Sequence, residues 1–207
     1  MKEQAVAAAP APREHDRREA ILQAAVRVFA KKGYHGCRIA DVAREAGVAY
    51  GLVYHYFHNK EDLLSSVFDE SFGHFVRLLE AIAATEGPSA QKVEEMVAAA
   101  FDAYQTDPES IRVLVLEVLR SPVFREAEQR GAFQQAIKQI AAVLRRGIER
   151  GELRPIDPFV AATSLFGAIE MGLTTLVMET PGADKRHLDA ARQGIVDVFL
   201  LGVSVRA

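Results

Sequence analysis

The run YGLVYHYFHNK, residues 50–60, concentrates Tyr50, Tyr54, His55, His58 and Lys60. Hydroxyls, imidazoles and an ammonium so close together suit one of three tasks: metal ligation, acid–base catalysis or contact with an anionic polymer. His55 and His58 stand three apart on one helix, but no Cys or acidic partner accompanies them at ligand spacing, so no metal is expected. The chain carries no nucleophile elbow, no phosphate-cradling glycine loop and no paired-carboxylate motif. No enzymatic activity and no cofactor are therefore expected. Binding remains, and the elements around the run suit it. In the preceding stretch, Ile39, Val42, Ala43 and Ala46 recur at helical spacing and form one apolar face, while Asp41, Arg44 and Glu45 point elsewhere. Gly47 ends that helix, because glycine accepts the left-handed backbone without a Cβ penalty. A second short helix, about Tyr50 to Phe57, then packs Leu52, Val53 and Tyr56 inward and leaves Tyr50, Gly51, Tyr54, His55 and His58 outside. Two helices joined by a short Gly-containing turn are the geometry that lays its second helix in a DNA major groove.

The segment IADVAREAGVAYGLVYHYFHNKEDLL closely resembles the N-terminal signature of the TetR family of bacterial transcriptional regulators, through Val42-Ala43, Ala46-Gly47-Val48, Tyr54-His55-Tyr56-Phe57 and Lys60-Glu61-Asp62-Leu63. The resemblance implies Tyr54 and Lys60 at phosphates, and Tyr50, Gly51 and His55 nearest base edges; Arg38, reaching for a phosphate, and Ala49 complete the expected DNA-binding set. Physical roles fit: Lys60 is a mobile cation, the Tyr54 hydroxyl donates to a phosphate oxygen, and Gly51 permits close approach. Tyr56 and Phe57 read better as core. Two departures stand out. Cys37-Arg38 occupies the place where the family usually has Thr or Ser, removing an N-capping hydroxyl normally good for about 1 kcal/mol. Leu52 stands where the family often has Thr, so operator preference does not carry over.

Length and composition agree with a two-part regulator. The chain has 207 residues, 49% hydrophobic and 26% charged, enough for a core and too apolar for disorder. Its net charge of −3 is unevenly spread. Residues 1–60 hold ten basic and six acidic groups, and residues 61–207 hold 15 basic and 22 acidic ones. A basic head on an acidic body fits a duplex-binding domain joined to one that does not bind DNA. The single cysteine, Cys37, forms no internal disulfide, and no signal peptide is visible, so a cytoplasmic location is expected.

The expected fold is all-α, with about nine helices and no strand alternation. Residues 1–13 form an Ala- and Pro-rich tail expected to be disordered, 14–59 the helix-turn-helix head, and 60–207 the effector-binding and dimerisation body. Ile21, Leu22, Ala25, Val28 and Phe29 mark a first helix from Glu14 that Gly33 stops. Asn59 caps a long helix from Lys60, the only obvious connection between head and body, which Gly87-Pro88 breaks. Further helices are expected at about Ser89–Gln105, Pro108–Leu119, Val123–Arg150, Pro158–Glu179 and Lys185–Val205. Phe159–Met178 carries one charge, Glu170, and is long enough to cross a membrane. Its hydroxyls, its flanking acids and the lack of a second such segment favour a buried helix. Paired with the terminal helix, it resembles half of a four-helix dimer interface, as the family implies.

The body is expected to hold a pocket drawn from Phe72, Phe75, Met96, Phe101, Tyr104, Leu114, Phe133, Phe166, Ile169 and Glu170, each of which is ordinary core on the simpler reading. FGAIE at 166–170 and GYHG at 33–36 resemble the fatty-acyl-CoA-responsive, FadR-like members. That resemblance calls on Arg112, Arg120, Arg125, Arg130 or Lys138 for the CoA phosphates. The function expected is a dimeric repressor that binds a palindromic double-stranded operator and is released by a small apolar effector, a fatty acyl-CoA among the candidates. The alternatives are an adaptor acting through protein contacts and a repressor sensing drug-like or aromatic compounds.

Overall fold

The computed structural model describes residues 14–118, 131–179 and 184–204. Nine helices occur among them: α1 Glu14–Gly36, α2 Ile39–Glu45, α3 Tyr50–Tyr56, α4 Lys60–Ala84, α5 Ser89–Thr106, α6 Pro108–Val113, α7 Ala132–Glu149, α8 Pro158–Glu179 and α9 Lys185–Val203. α6 runs on through a π-helical turn, Leu114–Val118. The only extended pairing among the described residues is one bridge between Leu153 and Ser204. The expected tail, the 123–131 start of α7 and the last two residues of the terminal helix fall wholly or partly outside the described residues.

Local chemistry accounts for most boundaries. Gly33 takes φ +70°, so α1 kinks there and continues only to Gly36. The Asn59 carboxamide accepts from the Asp62 amide at 2.7 Å and starts α4, with Glu61 and Asp62 favourably placed in the first turn. At the other end of α4, the buried Lys92 ammonium donates to the carbonyls of Ala83 and Thr85, filling acceptors that a helix C-terminus leaves open. Pro108 opens α6, and the Asp107 carboxylate accepts from the Ser110 amide at 3.0 Å. Asp157 and Asp184 cap α8 and α9 in the same way.

The head packs α1 on α2 and α4, and its core holds Phe29, Val42, Val53 and Phe57. In the body α7 lies across α4, α5 and α8, while α9 lies against α5 and α8. Close approach between α5 and α7 depends on Gly147: a Cβ there would lie 2.7 Å from both the Ser89 hydroxyl and Leu153 Cδ1. α8 departs from the expectation of a helix buried all round. Leu165, Ile169, Leu173 and Val177 are buried, whereas Phe159, Val160, Met171 and Met178 are exposed, each at more than half of its surface. α8 is long and apolar enough to cross a membrane, with mean hydropathy 1.5, but its inner face belongs to the core of the body. Its outer apolar face is open.

Candidate DNA-binding head and effector cavity

α2 begins at Arg38 without the side-chain hydroxyl that usually caps such a helix. The Asp41 carboxylate takes over half of that work, accepting the Arg38 amide at 3.1 Å. Asp41 also receives Lys32 Nζ at 2.9 Å and Arg44 Nη2 at 2.8 Å. The hydrogen bond from Lys32, then the one from the Arg38 amide, hold its carboxyl below the usual range. Gly47, at φ +66°, turns the chain into α3. Val53 anchors α3 to the head, with Leu52 and Tyr56 half-buried beside it.

The opposite face of α3 is open. Ala49, Tyr50, Gly51, Tyr54 and His55 are all exposed there, and Arg38 is exposed at the entry to α2. The Tyr50 and Tyr54 hydroxyls lie 3.1 Å apart, with their rings edge to face at 5.2 Å. The hydrogen bond with Tyr50, followed by burial, raises the Tyr54 pKa, so the Tyr54 phenol stays protonated at neutral pH. No atom lies within 4 Å of where a Cβ on Gly51 would sit. His55 packs edge-on against Tyr56 and lies 3.7 Å from the Glu14 carboxylate, while the His58 amide donates to Asp62.

Lys60 differs from the expected mobile cation. Its ammonium donates to the Tyr34 carbonyl at 2.7 Å and the Cys37 carbonyl at 3.2 Å, and sits 4.2 Å from the Tyr34 ring centre. It is drawn inward because the kink at Gly33 turns carbonyls, which would otherwise close a helix, toward the start of α4. The Tyr34 hydroxyl donates in turn to Glu61 at 2.5 Å, and this bond holds Glu61 below its usual range.

In the body, a cavity of about 70 Å³ lies between α4, α5, the end of α6 with its π-helical turn, and α8. Phe72, Phe75, Leu114, Phe166, Ile169 and Glu170 line it together. Glu170 is its half-buried acid and accepts from Thr174 Oγ1 at 3.2 Å. Four expected members do not line it. Phe133 stands behind the wall, edge-on to Phe166 at 4.9 Å. Met96, Phe101 and Tyr104 are closed into the core, with Phe101 turned toward Gly172 on α8. α5 presents Ala100 and Ala103 to the space instead. Looking for large side chains misses this, because space is left where side chains are small. Ser71, His74, Leu78, Ile111, Val115 and Leu173 complete the lining, and none of them is among the expected pocket residues. A groove of about 580 Å³ adjoins the cavity, shares His74, Leu78 and Ile111 with it, and carries Glu95, Asp102 and Asp107.

Of the cations considered for CoA phosphates, Arg112 points away from the cavity, donating to the Ala30 carbonyl at 3.2 Å and the Val177 carbonyl at 3.5 Å. Lys138 is exposed on α7, and Arg120, Arg125 and Arg130 lie outside the described residues. A second groove, about 1020 Å³, runs between the outer faces of α8 and α9 along Val160, Met171, Ile195 and Val198.

Residues 21–67 match the sequence model of the bacterial regulatory proteins of the tetR family, and residues 83–190 match that of the tetracyclin repressor-like C-terminal domain. The chain belongs to the TetR family. Among TetR-family relatives, the fatty acid metabolism regulator protein of Bacillus subtilis is 29% identical over 184 residues, covering 88% of this chain and 93% of that protein. The solved structure of the fatty acid degradation regulator FadR from Bacillus halodurans superposes with a TM-score of 0.81 at 28% identity, covering 92% of this chain and 98% of that one. FadR from Bacillus subtilis, solved in complex with stearoyl-CoA, gives a TM-score of 0.79 at 29% identity over 89% of this chain and 98% of that one. The TetR-family assignment bears out the helix-turn-helix head and the all-helical body.

Proposed function

We propose that this protein is a cytoplasmic, dimeric transcriptional repressor that leaves its operator when a long-chain acyl-CoA enters the body. Residues 14–59 act as the DNA-binding head, and residues 60–207 hold the effector and the dimer contacts. Tyr54 contacts phosphate, Tyr50, Gly51 and His55 approach base edges, and Arg38 and Ala49 flank the groove. Their common exposure on one face supports these roles. Lys60 serves the head from behind, holding the Gly33 corner against the start of α4.

The observation that carries the effector reading is the apolar cavity between α4, α6 and α8, in a chain similar over most of its length to a FadR crystallised with stearoyl-CoA. At about 70 Å³ the cavity lies well below the roughly 300 Å³ at which small-molecule pockets begin. An acyl chain must therefore push its walls apart. A ligand that prefers the expanded body weakens DNA binding by its differential affinity for the two states.

The test is binding to DNA from the protein's own promoter region, with and without stearoyl-CoA. Binding that is lost on adding stearoyl-CoA is the expected result. Binding that ignores stearoyl-CoA removes the acyl-CoA class, and no binding at all removes the repressor.

A further inference from the structure

Tyr34 is held from both sides at the junction of head and body. Gly33, in its left-handed conformation, takes the Tyr34 amide out of the α1 hydrogen-bond ladder, leaving a donor that needs a partner. Glu117 supplies it from the body, accepting the Tyr34 N–H through Oε2 at 2.9 Å across 83 residues of sequence. The carboxylate packs directly against Gly33, with Oε1 3.4 Å from where a Cβ would sit, and it is the φ of +70° rather than lack of space that calls for glycine there. On the other side of Tyr34, its carbonyl takes the Lys60 ammonium, which also holds the Cys37 carbonyl one residue before the α2 cap.

Glu117 lies in the π-helical turn Leu114–Val118, where Leu114 and Val115 line the cavity. The same turn packs on α1, α4 and α8. π-helical turns carry one residue more than the α-helix wants, and they are frequent at functional sites. The acceptor of the Tyr34 amide therefore sits in the same turn as two residues of the cavity wall.

We propose that Glu117 is the positioning residue that couples the cavity to the DNA-binding head, by gripping the Gly33–Tyr34 corner against which Lys60 sets the start of α2. This rests on the proposed effector-released repressor. Expansion of the cavity displaces Leu114 and Val115, draws Glu117 off the Tyr34 amide and frees the Lys60–Cys37 contact. The orientation of α2 and α3 is then no longer fixed to the body. Arg112, one turn earlier, ties α6 to Ala30 but does not line the cavity, so it acts as a static strut.

The experiment measures affinity for the protein's own promoter DNA, with and without stearoyl-CoA, in wild type, Glu117→Ala and Glu117→Gln, alongside stearoyl-CoA binding without DNA. Wild type is expected to lose affinity by a factor of about 5 to 150 on adding the ligand. Glu117→Ala is expected to bind both partners while the factor falls below about 2. Glu117→Gln keeps an oxygen acceptor and keeps the factor. Should Glu117→Ala not fold, Glu117→Met retains the apolar stem without the acceptor and is expected to behave as uncoupled. A Glu117→Ala or Glu117→Met protein that is released as wild type is released overturns the proposal.

If wild type does not bind stearoyl-CoA, the effector class fails and the coupling is read without ligand. Leu114→Trp overfills the cavity and is expected to weaken promoter binding in wild type but to add nothing in the Glu117→Ala background. Additive effects in this cycle, or no effect of Leu114→Trp in wild type, overturn the coupling itself.

Discussion

Lys60 shows how one side chain can belong to a motif and yet do structural work. Its ammonium satisfies two carbonyls of the Gly33–Cys37 corner, and a hydrogen bond to a charged group contributes about 1.5–3 kcal/mol. Lys60→Met is expected to lower stability by about 1–3 kcal/mol in urea unfolding without DNA, because both carbonyls lose their partner. Unchanged stability, with a fall in the salt slope of DNA binding, would instead return Lys60 to the phosphates. Cys37, beside it, is 3% exposed, and burial lifts its thiol from 9.0 to about 11. The folded chain thus holds that proton more tightly than the unfolded chain. Its contribution to stability is complete below about pH 9 and is lost as the pH rises through about 11. Urea midpoints between pH 8 and 11 should fall more steeply in wild type than in Cys37→Ala, and equal slopes would refute the assignment. Glu61 has the opposite sign: its depressed carboxyl stabilises the head above the ordinary value of 4.5, and the effect fades as the pH falls.

At the scale of elements, helix ends were readable because they are written locally: Gly33, Gly47, Asn59 and Asp107-Pro108 act within a turn of themselves. The inner stripe of α4, through Leu64, Phe68, Phe72 and Leu79, was readable for the same reason. Contacts fixed by how distant elements cross were not readable. Periodicity does not show that Glu117 reaches Tyr34, that Lys60 turns inward or that α5 presents alanines to the cavity. The π-helical turn was also invisible, since its apolar residues fit an α-helical stripe equally well. Gly147 is a hidden requirement of the same kind. Gly147→Ala is expected to cost about 1–3 kcal/mol despite a gain in helix propensity, because its methyl group would meet Ser89 and Leu153 at 2.7 Å. A variant at or above wild-type stability by thermal melting would show that α5 and α7 can separate at little cost.

For the molecule as a whole, the outer face of α8 and α9 is an apolar surface that no described residue covers, with Phe159, Met171, Val198 and Leu201 all more than half exposed. Apolar surface on this scale marks an interaction site, and a two-fold pairing of the two helices would bury it. Val198→Glu with Leu201→Glu is expected to give a species of one chain's mass by light scattering at micromolar concentration, and to weaken promoter binding strongly. A wild type already at the mass of one chain would refute the dimer. α4 adds a consequence of geometry alone. It is one unbroken helix of 25 residues, about 37 Å from end to end. A tilt of about 5° at its body end sweeps the head end through about 3 Å, and in the proposed dimer two-fold symmetry would double the change in separation to about 6 Å. Successive major grooves on one side of the duplex recur every 34 Å or so, which makes that arc a sixth of the interval the two recognition helices must match. In the proposed dimer, a disturbance small enough to vanish among packed side chains would thereby be read out as a failure of register on DNA.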